Sequence, residues 1–416
     1  MARQTSEIDI TWNTDTVYAL GLCRMLTQAL GIWPLKCQDL FSKIRVFIVV
    51  ILEVSMAINL VRELQADCVA VDEVVNFMAL VACSVIALAK VTVLRLNQTR
   101  IELIVRSAVE DWSNVRNSKV RMIMRSYAYR ARFVFIFQMT SAFATIVPLI
   151  SGSLPILAPF PPAGNHSNFD SSASAPLNLP AVPESRRNLP MGTSCFVSDL
   201  PAVLYGLVYV LQTVQLIATC AGNVGTDVYF FCLAMHVCGQ FELLGTSFET
   251  FGRNADAQDC REELGRLVDR HDHLITLSNN FEKTFNPLIL AQLTANSLHI
   301  SLLGIQMIIS IKTGNGVAAL GVLIALYILS LQLFLYCCAG DCLETRIEKL
   351  RDSVYFCQWY DLTPKVVKDL IFVMSRSNDT FRLTAGKVYR MNIDNFKNIF
   401  KAMGSYFTML RIMFEA

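Results

Sequence analysis

The chain has 416 residues, 53% of them hydrophobic and only 17% charged, against about a quarter charged in ordinary soluble domains. Its formal net charge of +2 favours no class of partner, and no basic patch with interleaved aromatics points to nucleic acid. The balance is that of a multi-pass membrane protein, and the thirteen cysteines, spread mostly through the hydrophobic runs, read as small apolar side chains rather than a disulfide framework.

Residues 1–42 form a mixed leader without a cleavable signal pattern, read as short amphipathic helices ending at the Gly31-Ile32-Trp33-Pro34 break. Six hydrophobic runs follow, at roughly 44–61, 74–94, 131–150, 200–226, 287–311 and 317–339. The fourth, fifth and sixth carry no acidic or basic residue apart from His299 in the fifth, which makes them the clearest membrane spans. Residues 228–241 are also apolar but too few to span, so they are read as the fourth helix continuing out of the membrane. The segments 242–286 and 341–376 have helical patterns, the latter with Leu343, Ile347, Leu350, Val354 and Cys357 on one face.

The last stretch, Met391 to Phe414, places Ile393, Phe396, Phe400, Met403, Phe407, Leu410 and Phe414 at steps of three and four, all on one helix face. The opposite face reads Asn395, Asn398, Ala402, Ser405, Met409 and Ile412, polar at its start and apolar at its end. A helix of this length reaches about 36 Å, enough to cross a bilayer. Lys397, Lys401 and Arg411 make it a poor partner for lipid, so one face is expected to pack on protein and the other to line a water path.

Seven spans result, and charge orients them. The segment 95–132 holds nine Lys/Arg, whereas 62–73 has only Arg62 and 151–199 only Arg186 and Arg187. The N-terminus is therefore expected in the cytoplasm and the C-terminus outside, the reverse of a rhodopsin-like receptor. The Pro-, Ser- and Ala-rich loop 151–199 then lies outside and offers the sequon at Asn165 for glycosylation. Cys68 and Cys195 are the only outer-loop cysteines and could pair or stay free. The expected fold is all-α: a polytopic membrane protein with seven transmembrane helices and an inner helical anchor region, in one domain over 1–416. Its parts are the leader 1–42, helices one to six over 43–339, the cytoplasmic anchor helix 340–390 and the last helix 391–416.

Four ordered pieces of the C-terminal part resemble the insect odorant receptor family. They are Gln240-Phe241-Glu242-Leu243-Leu244; Leu267-Val268-Asp269-Arg270-His271 with Phe281 to Phe285; Phe334 to Trp359 with Cys338-Ala339-Gly340; and Ser405-Tyr406-Phe407-Thr408-Met409-Leu410. The resemblance implies a ligand-gated, poorly selective cation channel of four subunits in the plasma membrane of olfactory neuron dendrites. In such channels the last helix lines the pore, and odorant binds in the outer half among the second, third, fourth and sixth helices. The long inner insertion of the odorant receptor co-receptor (Orco) is absent, so the chain resembles a tuning subunit that joins Orco in a heterotetramer. A gustatory-type channel of the same superfamily is the nearest alternative, but its terminal Gln-Phe is replaced by Ile412-Met413. A G-protein-coupled receptor or a transporter is the more distant one.

On this resemblance Met409 and Met413 mark a hydrophobic gate of the dewetting kind, with Ser405, Asn398 and Asn395 lining the wet path below; subunit packing and helix–helix hydrogen bonds are their structural readings. The ligand is expected to be a small volatile organic molecule in a mostly apolar pocket. Its candidate contacts are Phe77, Val81 and Ser84; Ser141, Phe143 and Thr145; Val208, Leu211 and Gln212; and Ile324 and Tyr327. Tyr327 leads them because a buried hydroxyl seeks a partner. Glu53, an acid in the first span, suits the protein interior in a structural or a functional role. Asp269-Arg270-His271 and Asn286-Pro287 imitate rhodopsin-like motifs in the wrong places. His271-Asp272-His273 and the Cys337, Cys338, Cys342 group lack four convergent metal ligands at accepted spacing. No phosphate loop, nucleophile elbow or paired carboxylates point to an enzyme, and no cofactor is implied.

Overall fold

A computed structural model describes residues 12–36, 39–65, 71–152, 189–192, 201–252, 257–377 and 381–415. Asn165, Cys68 and Cys195 lie outside them. The first helix, α1 (Thr14–Ala29), is opened by Asn13, whose side-chain oxygen accepts the Thr16 amide at 2.7 Å and so satisfies one of the unpaired first-turn donors. The Asn13 amide also donates to the Trp112 carbonyl at 3.0 Å, which fastens α1 to the inner helix α4 (Gln98–Ser113). In α4, Ile101, Ile104, Val105, Ala108 and Trp112 repeat at helical spacing and all are buried. The sequence reading counted the basic residues of this segment and passed over that stripe.

Among the described residues, six helices are long and apolar enough to cross a membrane: α2 (Leu40–Leu64), α3 (Val71–Leu96), α5 (Ser118–Gly152), α6 (Ala202–Thr250), α7 (Ala257–Lys312) and α8 (Gly316–Tyr355). At 49, 56 and 40 residues, α6, α7 and α8 far exceed the roughly 20 residues a bilayer needs. Each continues beyond the span as part of a packed bundle. This explains residues 228–241: as the continuation of α6 they run through the centre, against α1, α4, α5, α7 and α8, and every one of them is buried. A helix apolar all round is one covered all round. Phe230 sits in an aromatic cluster with Phe281, Phe285 and Tyr336, with ring centroids 4.8–5.0 Å away, and such pairs add about 1 kcal/mol each beyond area burial.

The single amphipathic helix expected over 341–376 is two. Helix α8 ends at Tyr355, a turn carries Trp359, and α9 (Pro364–Ser377) starts afresh. Pro364 sets the start of α9: its ring disfavours helical geometry at Thr363 and suits a first helical position. A short antiparallel hairpin follows, β1 (Thr384–Ala385) with β2 (Tyr389–Arg390). Gly386 and Lys387 both hold positive φ, 61° and 59°, which turns the chain tightly into the last helix, α10 (Ile393–Glu415). Gly340 of α8 makes this possible: a Cβ there would overlap the Met391 carbonyl oxygen.

Candidate functional site

Three regions carry the candidate chemistry: the last helix, the outer half of the bundle and a polar seam between the spans. The base of α10 is held firmly. Asn392 accepts the Asn395 amide at 2.9 Å, as an N-cap does. Asn395 does not face an open path with its amide; Nδ2 turns back to the Arg390 carbonyl at 2.8 Å. Arg390 in turn pairs bidentately with Glu344 of α8, a geometry that makes charge-assisted bonds strong. Phe396 packs edge-on against Phe334 at 5.5 Å, and Ile399 joins the same core.

Beyond Ile399 the described side chains of α10 are exposed. Phe400, expected in the packed face, is 54% exposed. Asn398, Ser405, Thr408 and Ile412 are exposed as well, and Met409 is 59% exposed. The Ser405 hydroxyl donates to the Lys401 carbonyl at 3.1 Å, so its donor is spent on the helix and its oxygen still has a free lone pair. The Met413 side chain lies outside the described residues.

Helix α6 packs against α3, α5 and α8, so three of the four helices named for the pocket share a neighbour. Phe77 and Ser84 are buried and Val81 packs on the core. The segment 189–192 folds over this side: Gly192 sits against the Phe77 ring, and the Met191 amide donates to the Gln212 side chain at 3.3 Å. Ser84 is already engaged, donating to the Glu53 carbonyl at 2.9 Å. Ser141 and Thr145 donate to carbonyls of their own helix, at 2.8 and 2.7 Å, while Phe143, Leu211 and Ile324 are exposed and Val208 half-buried. Tyr327 does not have the burial that recommended it: it is 54% exposed. The described residues thus link Phe77 and Gln212 through Met191 and Gly192, and leave the α8 pair at the surface.

The polar seam escaped sequence reasoning. On α6, Gln215, Thr219, Asn223 and Asp227 recur every fourth residue, a stripe on one face of an otherwise apolar span, and all four are buried. Thr219 reaches both carboxylate oxygens of Glu53 at 2.9 and 3.1 Å, which places that acid in the protein interior. Deeper in, Lys90 of α3 pairs with Asp227 at 2.5 Å, both side chains 1% exposed. Its ammonium also donates to the Asn223 side chain and carbonyl at 2.9 and 3.2 Å, and Tyr336 of α8 donates to the same Asp227 oxygen. His299 of α7 faces Cys83 and the Ala79 carbonyl of α3, at 3.4 and 3.0 Å. Gln292 and Asn296 of α7 bond each other at 2.7 Å, beside Gln332 of α8. The seam therefore stitches α2, α3, α6, α7 and α8 together. The signal was available: Lys90 inside a run assigned to the membrane calls for an anion, and Asp227 stands at the matching depth.

Beyond the seam, Asp111 of α4 accepts from Arg270 at 2.7 Å and faces His236 at 3.2 Å, joining α4, α6 and α7. Burial pushes its carboxyl up, but His236 and Arg270 outweigh it and hold the pKa below the usual carboxylate range. Arg270 is thus a structural link rather than part of a rhodopsin-like switch. His271 and His273 diverge, the first to Ser377 of α9 and the second to Ser107 of α4. Burial lowers the His271 pKa, with Asp272 opposing and Arg376 adding to the shift.

Among the described residues, six long apolar helices and a further, charged one anchored by a hairpin define a multi-span helical membrane protein whose bundle extends beyond the spans. The chain belongs to the 7tm Odorant receptor family, whose profile matches residues 70–404. Among curated proteins it is 28% identical to odorant receptor 13a of Drosophila melanogaster over 231 residues, 51% of this chain and 54% of that protein. Over 241 residues it is 22% identical to odorant receptor Or1 of Anopheles gambiae, 51% of this chain and 57% of that one. The odorant receptor coreceptor of the same mosquito is 23% identical over 172 residues, covering 39% of this chain and 36% of the coreceptor. The chain thus spans about half the length of the curated odorant receptors it matches. In fold it resembles the insect olfactory receptor OR5 from Machilis hrabei, with a TM-score of 0.74, 13% identity, and 95% and 99% of the two chains covered. The structure of that receptor in complex with eugenol gives a TM-score of 0.73, 14% identity and coverage of 96% and 100%. The family is one of receptors and not of enzymes.

Proposed function

We propose that this chain is a tuning odorant receptor subunit of a ligand-gated, non-selective cation channel in the plasma membrane, assembled with the co-receptor in a heterotetramer. The observation that carries this reading is α10: held at its base by Arg390, Asn392 and Phe396, it is exposed at every described side chain from Phe400 onward. A helix carrying Lys397 and Lys401 that is left bare by its own chain is unsuited to lipid and well suited to a shared pore wall. Along its uncovered side Asn398 and Ser405 precede Met409, a polar approach to an apolar constriction.

The inner end supplies a surface for assembly. Phe356, Tyr360, Ile371 and Phe372 are 59–76% exposed, a concentration of apolar side chains that in a soluble region marks a protein contact. A volatile molecule held among the outer halves of α3, α5, α6 and α8 acts by binding the open arrangement more tightly than the closed one. Phe77, Val81 and Gln212 are its first candidate contacts. Helix α6 touches every wall of that pocket and carries the polar stripe, so it is the element through which occupancy reaches α8 and the base of α10.

The test is electrical. Cells expressing the chain with the co-receptor are exposed to a panel of volatiles, beside cells expressing either subunit alone. A cation current evoked only in the combination supports the proposal. A current from this chain alone would reassign it as a gustatory-type channel, and no current with any member of a broad panel would refute a channel role.

A further inference from the structure

We propose that the recess between the end of α1 and the start of α2 binds the phosphate-bearing headgroup of an anionic phospholipid. The recess holds about 220 Å³ and its wall includes Gly31, Trp33, Lys36, Asp39, Phe41 and Arg45. Lys36 and Arg45 face one carboxylate there, Asp39, and no ion pair ties Asp39 to either cation among the described residues. A third cation, Arg95 of α3, stands behind the wall, 3.3 Å from both the Gly31 carbonyl and the Ser42 hydroxyl. Arg45 anchors one nitrogen on the Gln28 carbonyl at 2.8 Å, which aims the guanidinium across the recess while its remaining N–H groups stay available. A guanidinium held this way suits a phosphate, which it can meet with two parallel bonds.

Two independent features point the same way. Helix α2 begins at the recess with no side-chain cap from Asp39; the Ser42 and Lys43 amides are taken by the Asp39 carbonyl, so it is the positive dipole end that adds to the attraction for an anion. Directly along α2 from the recess run Leu40, Phe41, Ile44, Phe47, Ile48 and Ile51, each 45–75% exposed. A soluble phosphate has no use for that apolar track. A lipid does, because acyl chains laid along it continue straight from a headgroup in the recess. The occupant that satisfies both ends is a phospholipid with net negative charge. Its leaflet is the inner one on the proposed topology.

The full chain, purified and placed in nanodiscs of phosphatidylcholine with or without phosphatidylserine, tests this, with bound lipid counted by native mass spectrometry. The parent chain is expected to retain phosphatidylserine in preference to phosphatidylcholine. Lys36→Ala with Arg45→Ala should weaken that retention about 30-fold, from roughly fivefold per basic side chain. Lys36→Arg, which keeps the charge and leaves the Arg45 guanidinium in place, should preserve it, as should Lys368→Ala on the exposed face of α9. Equal retention of the two lipids by the parent, or equal loss in the Lys368 variant, overturns the site. Displacement of the lipid by millimolar inorganic phosphate overturns the lipid in favour of a soluble anion. Both leaflets of a nanodisc are alike, so the result is independent of topology. An N-terminal epitope stained only after permeabilisation tests the topology on its own.

Discussion

The Lys90–Asp227 pair makes the sharpest stability prediction. Both side chains are buried, and their partners are unequally shared. The ammonium has three acceptors: Asp227 and two oxygens of Asn223. The carboxylate has two donors, Lys90 and Tyr336, both on one oxygen, while its other oxygen has no hydrogen-bond partner among the described residues. Lys90→Met therefore strands an anion with a single donor, whereas Asp227→Leu strands a cation with two neutral acceptors. Breaking a buried pair from one side costs on the order of 3–5 kcal/mol, while replacing both partners with apolar residues is often neutral or favourable. Lys90→Met is expected at the upper end of that range and Asp227→Leu below it, with the double variant recovering most of the loss. Fluorescence-detected size-exclusion chromatography after a graded heat challenge reads all four proteins. A double variant that loses as much as the two singles combined would refute the coupling and, with it, the seam as a unit.

Four further outcomes follow from particular contacts. Met409→Ala should raise basal current or ease activation in cells with the co-receptor; unchanged basal and evoked currents would remove Met409 from the gate. Gly340→Ala pushes a methyl into the Met391 carbonyl and should cost about 1–3 kcal/mol or more, seen as a lower heat-challenge midpoint, and a neutral effect would mean that the hairpin does not seat there. His271 has a folded-state pKa below its ordinary value, so the unfolded chain takes the proton first. Its contribution is whole above about pH 6.5, the unfolded value, and is lost as pH falls from there through the lower folded-state pKa. His271→Asn should flatten this decline in the midpoint between neutral and mildly acidic buffer, and an unchanged slope would assign the decline elsewhere. Asp111, whose pKa is depressed, contributes above the usual carboxylate value and should add nothing in that window. Phe372→Glu should reduce tetramer recovery on size exclusion while leaving the monomer's helicity intact, if the exposed α9 face is an assembly surface.

Periodicity carried much of the fold because spans and inner helices alike are set by which faces are apolar. The continuous run 228–241 was legible as a helix continuation since nothing in it resembles a turn. The break before α9 was equally legible at Pro364 but was masked by the regular apolar spacing of Leu343 to Cys357. The hairpin was not legible: strands of two residues have no period, and its place depends on Gly340, forty-odd residues earlier, admitting a backbone carbonyl. At the candidate site, residue type alone could not reveal that Asn395 spends its amide on Arg390 or that Tyr327 stays exposed. Those are facts of packing geometry. The seam was written in the sequence as a four-residue stripe ending at Asp227, and it becomes readable once Lys90 is asked for its counterion.

The claim that α10 is a pore wall is tested most directly by a permeation property, since stability and expression cannot mimic it. Ser405→Glu places a carboxylate on the uncovered side of α10, one turn before Met409, where a ring or part-ring of acids favours cations of higher charge. With the co-receptor present, the volatile-evoked current should reverse at a potential shifted toward that of calcium under a calcium–sodium gradient. An evoked current of normal size whose reversal potential is unchanged would contradict the placement of this helix at the pore.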